Sequence, residues 1–385
     1  MSMRPQHLAT LAVLFHLPLL GLACSEPERR PVQNPYWVPT PPLTTPSVVP
    51  PPPTTTASAL PLVEPPPPPP AKPKGLARGD KAPQDAQLAE ADKQYEASDF
   101  AGAESSYRKA MQLAPKDPAP IVGFARARLS KENVPVDFNS APTNAALKGM
   151  IAELKRAVKL DATYAPAQLE LGRALLVQGN AKEAIAALRK AVELDPSEPE
   201  AHSALGVGLL ANGEIEPATA ALKRSAELDP GSAARQSNYG TALLAAGRVP
   251  EAIAAYERAL RVSPNDPGTL SDLGTALLAQ NQADDAIKHL EKAVALAPKS
   301  ATMRQNLAYA HHLKGKFDKA QALYEEALKL DDKLISAWVN LGNLHAQQKR
   351  YDDARKAYEK AKAVDAGDPR VKTALQELDE VTKKK

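Results

Sequence analysis

The amino-acid sequence predicts an all-α protein in which helix–turn–helix units repeat along most of the chain. Alanine, glycine and proline return at intervals of 34 residues from about residue 168 to residue 366. Between them, long apolar residues recur at helical spacing, and prolines follow the segments predicted as second helices, which they would terminate. A fixed period of this length is typical of solenoids, in which each unit buries its apolar side against its neighbours.

The N-terminus carries the features of a secretory signal peptide over residues 1–23. Arg4 precedes an apolar run from Leu8 to Ala23, and small residues stand near the end of that run. The run is shorter than the ~20 apolar residues that a membrane-spanning helix needs, whereas it fits the short apolar core of a signal peptide. The protein is therefore expected to be exported.

The sequence Leu-Gly-Leu-Ala-Cys at 20–24 resembles the lipobox of bacterial lipoproteins, in which the cysteine becomes the lipidated N-terminus. Ala23 is the small residue expected before it, and Gly21 stands where a branched apolar residue is usual. The resemblance implies that Cys24, the single cysteine, carries acyl chains that hold the protein at a bilayer. Ser25 in place of an aspartate implies an outer-membrane lipoprotein that faces the periplasm or the cell surface. The alternative is a plain secretory signal and a soluble periplasmic or secreted protein.

Residues 24–83 are predicted to be a disordered, proline-rich linker. Between residues 31 and 73, 18 of 43 residues are proline, and a chain so short of backbone donors cannot build a core. Polyproline II is the expected conformation, with a rise of ~3.1 Å per residue. The linker then acts as a spacer that holds the body away from its membrane, or alternatively as a ligand for a proline-recognising domain.

The repeat array is expected over residues 84–368, as about eight helix pairs. One glycine series is predicted inside the first helices, where the missing side chain lets the second helix approach: Gly172, Gly206, Gly240, Gly274 and Gly342. Another is predicted at the left-handed turn between the two helices: Gly179, Gly213, Gly247 and Gly315. An insertion near 131–144 is either a working loop or tolerated drift. Residues 369–385 are expected to form a polar capping helix and a basic tail.

The sequence Trp338-x₂-Leu341-Gly342-x₂-His345, followed by Tyr351, Ala354, Tyr358 and Ala361, resembles a tetratricopeptide repeat. His345 stands where the pattern usually has an aromatic residue. The resemblance covers about three quarters of the chain and implies a right-handed superhelical solenoid with a concave groove for protein partners. It implies no catalytic activity.

Composition and motifs argue against an enzyme or a nucleic-acid-binding protein. The 48 basic and 45 acidic residues nearly balance, which excludes binding to nucleic acid by bulk charge. No phosphate-binding Gly-Lys loop, nucleophile elbow or zinc-helix motif is present. His311 and His312 would point ~100° apart on a helix, and His311 and His345 are predicted to be satisfied core residues. We expect no catalytic residue, no cofactor and no metal site.

The concave groove is predicted from a file of polar residues on the first helices, Asn238, Asp272, Asn306 and Asn340. Amide side chains both donate and accept hydrogen bonds, so they can pair with a peptide backbone whatever its sequence. The file resembles the asparagine ladder in the tetratricopeptide arm of O-linked N-acetylglucosamine transferases, which implies a grip on peptides. Neighbouring groove residues are predicted to be Thr241, Thr275, Tyr309 and Asn343, beside an apolar stripe of Leu176, Leu210, Leu244 and Leu278. The alternative is a merely solvated helix face.

These features together predict a lipid-anchored scaffold that binds extended segments of partner proteins in its groove. Its anchored repeats are similar to the pilotin-type lipoproteins that help pilus secretins assemble, and to adaptors of gliding motility or cell-wall synthesis. The alternative function is a glycan-binding accessory subunit of a peptidoglycan or polysaccharide enzyme. Sugar sites usually stack rings on aromatic residues, and the predicted groove contains few of them.

Overall fold

The computed structural model describes residues 75–79, 82–132 and 144–383. The predicted signal peptide, Cys24, most of the linker and most of the insertion near 131–144 lie outside the described residues. Seventeen helices and no strands are present among the residues described. They belong to two compact units, which meet in sequence between Ala246 and Gly247. The predicted all-α class is confirmed.

The first unit contains helices α1 to α9. Their bounds are α1 (Asp85–Glu96), α2 (Phe100–Leu113), α3 (Pro118–Lys131), α4 (Ala145–Leu160), α5 (Ala165–Val177), α6 (Ala181–Leu194), α7 (Pro199–Ala211), α8 (Ile215–Leu228) and α9 (Ala233–Ala245). Each odd-numbered helix up to α7 packs against the even-numbered helix that follows it, and that helix packs against the next odd one. The odd helices also contact each other in succession, so they form a continuous layer, the first-helix layer of this unit.

The second unit contains helices α10 to α17. Their bounds are α10 (Val249–Val262), α11 (Pro267–Ala279), α12 (Ala283–Leu296), α13 (Ala301–Leu313), α14 (Phe317–Leu330), α15 (Ile335–Gln347), α16 (Tyr351–Val364) and α17 (Pro369–Lys383). Here α11, α13, α15 and α17 contact each other in succession and form the first-helix layer of the second unit. The final helix, α17, packs on α15 and α16 through Val371, Ala374 and Leu378, which are all buried.

Side chains that cap the helix N-termini explain where several first helices begin. Ser232, Asp266 and Ser300 directly precede α9, α11 and α13, and each side chain accepts the backbone N–H three residues further on. Such caps satisfy a donor that has no partner within the helix. Second helices α6 and α8 end at Leu194 and Leu228, and a proline follows two residues later in each case.

The glycine series within the first helices permits the close approach that the sequence predicts. A Cβ atom added to Gly172 would lie 2.4 Å from the Leu188 Cγ, and one added to Gly342 would lie 2.3 Å from the Tyr358 Cε1. Both distances are far below van der Waals contact, so the second helix occupies the space that a side chain would need. The prediction for these two positions is confirmed.

The turn between paired helices uses a residue with positive φ, as predicted. Gly179, Gly213 and Gly315 have φ values of 84°, 78° and 69°. Asn281 and Lys349 take the equivalent place with φ values of 62° and 63°. Glycine reaches this region without the steric cost that a Cβ atom adds. Among the described residues, no helix combines the length and the apolar character that crossing a bilayer requires.

Candidate peptide-binding face

The eight predicted groove residues lie on first helices of the two units. Asn238 and Thr241 belong to α9 of the first unit. The others belong to the second unit, with one pair each on α11, α13 and α15: Asp272 and Thr275, Asn306 and Tyr309, and Asn340 and Asn343. All eight are half-buried, which leaves part of each side chain open to solvent. Within the second unit the structure therefore places six of them on one helix layer.

Two asparagines of the file, Asn238 and Asn306, contact serines on the preceding first helix. Asn306 donates from Nδ2 to the Ser271 Oγ at 3.1 Å, and Asn238 donates from Nδ2 to the Ser203 Oγ at 3.5 Å. Because the amide nitrogen is used in this contact, the amide oxygen remains as a hydrogen-bond acceptor. The sequence pattern does not reveal this pairing, although Ser271 stands out as a small polar neighbour of the file.

Asp272 is the one carboxyl group in the file. It makes no hydrogen bond or ion pair with any residue that the structure describes. Burial, and then the nearby Asp266 carboxylate, raise the pKa of Asp272 to about 7, because both disfavour the charged form. Near neutral pH this group therefore exists in both protonation states, and it can accept a hydrogen bond from a ligand or donate one to it.

The other four predicted residues are partly engaged within the protein. The hydroxyls of Thr241 and Thr275 donate to carbonyl oxygens of their own helices, at 3.2 Å and 3.0 Å. The Asn343 Oδ1 accepts the Tyr358 hydroxyl at 2.6 Å. The Tyr309 ring packs edge-on against His312, with 6.4 Å between ring centroids. These contacts hold the side chains in place and reduce what they offer to a ligand.

The predicted apolar stripe is wrong as a groove surface at three of its four positions. Leu176, Leu244 and Leu278 are only 8%, 8% and 3% exposed. Leu176 packs against the next first helix, where a Cβ atom added to Gly208 would lie 3.1 Å from the Leu176 Cδ2. These leucines belong to the core between neighbouring helices, because that contact removes their apolar surface from water.

In the first unit, an ion-pair network surrounds the buried Glu170, which stands at a position of the polar file two repeats before Asn238. Glu170 binds Arg126 at 2.9 Å and Arg173 at 3.2 Å, and Glu200 binds Arg173 at 3.6 Å and Arg235 at 3.2 Å. Although burial opposes it, the two neighbouring guanidinium groups hold the pKa of Glu170 below its usual range. The sequence pattern does not indicate this network.

The chain's own residues 75–79 lie against the first helix pair. The backbone N–H groups of Leu76 and Ala77 donate to the Asp92 Oδ2 at 2.6 Å and 2.9 Å, and the N–H of Arg78 donates to the Asp85 Oδ1 at 2.7 Å. Leu76 is only 4% exposed. The sequence predicts a disordered linker as far as residue 83, so this docked segment differs from the prediction.

The Arg78 side chain extends the same contact to two further repeats. Its Nη2 donates to the Asp117 Oδ1 at 2.9 Å, directly before α3. Its guanidinium carbon lies 5.9 Å from the centroid of the Tyr164 ring, directly before α5, within the range of a cation–π contact. A five-residue non-helical segment thus contacts the start of three successive first helices.

His311 and His345 are buried as predicted, at 1% and 6% exposed. Among the described residues, however, neither ring nitrogen of His311 has a hydrogen-bond partner, and the His345 Nδ1 lacks one as well. Burial lowers the pKa of both imidazoles, so the neutral form is favoured. Across the ranges that the structure describes, no three His, Cys, Asp or Glu side chains converge as metal ligands.

Comparison with known families agrees with the helix pairs described above. Family models described as tetratricopeptide repeats match residues 231–299, 269–333 and 311–378. A further model described as a TPR repeat matches residues 172–213. The chain is a tetratricopeptide repeat protein.

The solved structures that are similar to this chain include one that shares its fold. A chain of the APC/C hetero-tetramer Cut9–Hcn1 is 18% identical with a TM-score of 0.57, over 78% of this chain and 57% of that one. This chain therefore spans a little over half the length of that relative. The structure of Pseudomonas aeruginosa pilF is 23% identical with a TM-score of 0.47, over 56% of this chain and 98% of that one. YrrB, described as a TPR protein with an unusual peptide-binding site, is 22% identical with a TM-score of 0.38, over 50% and 99%. No curated protein matches the chain.

Proposed function

We propose that the protein is a non-enzymatic scaffold that binds segments of partner proteins on its first-helix layers. The observation that carries this proposal is the docking of residues 75–79, in which carboxylates of Asp85 and Asp92 receive backbone N–H groups. The array thereby already holds a piece of non-helical polypeptide by its main chain. Main-chain donors are common to all peptides except at proline, so the same chemistry serves a partner.

The polar file supports binding on the remaining first helices. Asn238 and Asn306 each use the amide nitrogen to contact a serine, so the amide oxygen can accept a hydrogen bond from a ligand. Asp272 presents a carboxyl group with no partner among the described residues. Such acceptors match the N–H groups of an extended segment. Of the eight predicted groove residues one is aromatic, Tyr309, and its ring already packs on His312. This arrangement favours a peptide over a glycan as the ligand.

The proposal includes a lipid anchor at Cys24 and a role in assembling a machine of the cell envelope, such as a pilus secretin, a motility apparatus or a cell-wall synthase. The support is the signal-like segment 1–23, the lipobox-like sequence that ends at Cys24, and the proline-rich linker after it. Replacing Cys24 by alanine is expected to release the protein from the membrane fraction. Retention of Cys24→Ala in membranes, in cells that acylate a control lipoprotein, would contradict the anchor.

A cross-linked pull-down from cell envelopes tests the binding face. Wild type is compared with a variant that carries alanine at Asn238, Asp272, Asn306 and Asn340. The matched control carries alanine at Lys223, Lys288 and Lys356, which are exposed on second helices. We expect a partner to be lost with the first variant and kept with the second. A partner retained by both variants would show that the polar file is only solvated surface.

A further inference from the structure

The Asp92 carboxylate is the hydrogen-bond acceptor for the backbone of residues 76 and 77. Its Oδ1 accepts the Tyr107 hydroxyl at 2.7 Å, and its Oδ2 accepts the N–H groups of both Leu76 and Ala77. Hydrogen bonds to an ionised carboxylate are roughly twice as strong as neutral ones. The tyrosine fixes the orientation of the carboxylate, so the second oxygen is positioned before any segment arrives.

The seated segment fits this receptor through specific side chains. A Cβ atom added to Gly75 would lie 2.9 Å from the Asp92 Oδ2, so glycine is the residue that fits there without a shift. Leu76 is nearly fully buried, and removing its apolar surface from water favours the seated state. Ala77 is half-buried, and its backbone N–H makes its one described hydrogen bond.

Arg78 adds a charged contact two residues after the leucine. Asp117, whose side chain is 8% exposed, binds the guanidinium, while its other oxygen accepts the Gln84 Nε2 at 3.1 Å. The Tyr164 ring faces the same guanidinium. A planar cation between a carboxylate and an aromatic ring suits arginine rather than lysine. The contacts of the occupied site therefore favour a glycine, a leucine and an arginine in fixed order.

We propose that Asp85, Asp92, Asp117 and Tyr164 form a binding site for a short segment of the form Gly-Leu-x-Arg, which residues 75–79 fill until a partner segment of the same chemistry displaces them. The inference rests on the proposed function in taking the partner to be a polypeptide. The occupied site lies at the start of the first-helix layer of the first unit.

The segment is held by contacts that are individually modest, because each hydrogen bond to the protein replaces a hydrogen bond to water. A segment joined to its site by a short connection competes at an effective concentration on the order of millimolar. A free ligand therefore binds the wild-type chain more weakly than a chain whose own segment has been disabled.

The test is a binding titration with the full chain and a fluorescent peptide of residues 72–82. The own segment is disabled by Leu76→Asp with Arg78→Glu, and in a second variant by Arg78→Glu alone, which keeps the buried leucine. We expect fluorescence anisotropy to show at least tenfold tighter binding to the double variant than to wild type, and an intermediate affinity for the single variant. A peptide with both substitutions is the control ligand.

Asp92→Asn, added to the disabled chain, should weaken binding at least tenfold, while Asp99→Asn on the neighbouring helix cap should leave it unchanged. Equal binding of the control peptide, or no binding to either disabled chain, would overturn the proposal. If the pull-down with the polar-file variant loses partners but the titration shows no peptide binding, the site for residues 75–79 is overturned and the polar file is not. If the pull-down keeps its partners but the titration shows peptide binding, the polar file is overturned as a binding surface and the site for residues 75–79 is supported.

Discussion

Tyr107 donates its phenolic hydrogen to the Asp92 Oδ1 at 2.7 Å, while the other oxygen of Asp92 holds the backbone of the segment before α1. Tyr358 and Asn343 occupy the same places in the last helix pair and form the same bond, 2.6 Å long. In both pairs a tyrosine of the second helix reaches through to the first helix and fixes a polar side chain there. The second helices therefore help to prepare the binding layer.

Replacing Tyr107 by phenylalanine should lower the free energy of unfolding by about 1–3 kcal/mol, because Asp92 then loses a buried donor. Tyr324 offers a matched control at the equivalent position, since its buried hydroxyl has no hydrogen-bond partner among the described residues. Tyr324→Phe should be neutral or stabilising. Urea unfolding of both variants checks the pair, and an equal loss in both would contradict the role assigned to the Tyr107 hydroxyl.

Adding one methyl group at Gly172 should destabilise the array by roughly 1–3 kcal/mol, because the new Cβ would meet the Leu188 side chain at 2.4 Å. Gly149 lies in the exposed part of α4, and a methyl group added there would meet no atom of a neighbouring element within 4 Å. Gly149→Ala should therefore raise stability by about 0.5–1 kcal/mol through helix propensity alone. Thermal melts would refute the packing argument if both alanines shifted Tm in the same direction.

Neutralising Glu170 should cost roughly 3–5 kcal/mol, since Arg126 and Arg173 would be left buried without their shared carboxylate. Glu193 pairs with Lys190 in solvent, with its side chain 68% exposed, and Glu193→Gln should change stability by less than about 1 kcal/mol. Chemical denaturation gives both values. A Glu170→Gln loss no larger than the surface control would show that the network contributes little.

The carboxyl of Asp272 should lower the stability of the protein as pH rises. Its pKa is raised to about 7 in the folded chain, from an ordinary value of 3.8. The loss of stability therefore builds up as pH rises from about 4 to 7 and is complete above pH 7, so wild type gains stability as pH falls from 7 toward 4. Asp272→Asn should be more stable than wild type at pH 8, by roughly 1–3 kcal/mol.

That advantage of Asp272→Asn should shrink to a small remainder near pH 4, where the carboxyl is protonated in the folded chain and about half ionised in the unfolded chain. Asp285→Asn serves as the control, because Asp285 is exposed and its ion pair with Lys288 lies in solvent. It should show no such gain at pH 8. Melting curves at pH 4, 6 and 8 provide the measurement, and a constant difference between Asp272→Asn and wild type would contradict the raised pKa.

The repeat geometry could be predicted from the sequence because each of its steric requirements is met by one residue type, glycine. Gly172 has no side chain where Leu188 packs, and Gly179 adopts a positive φ at the turn. Both needs recur with the period, so they are visible in the order of residues. The class of fold and the nature of the helix pairs follow from them.

The chemistry of the binding layer could not be predicted in the same way. The bond from Asn306 to Ser271 joins neighbouring helices, and it depends on how those helices are offset. Leu176 has the periodicity of a surface stripe, yet the close approach of α7 at Gly208 buries it. Residues 75–79 have the composition of a linker end, and their docking depends on carboxylates that the chain contributes later in the sequence.

Site-specific photocross-linking tests most directly whether partners bind the first-helix layer. A photoreactive amino acid is placed at Asn306 on α13, or at the exposed Lys288 on α12 as the control, and intact cells are irradiated. We predict a discrete protein adduct at position 306 that disappears when Asp272 and Asn340 are both changed to alanine, and no such adduct at position 288. Adducts at position 288 with none at position 306, or adducts at 306 that survive both alanines, would contradict a peptide-binding role for this layer.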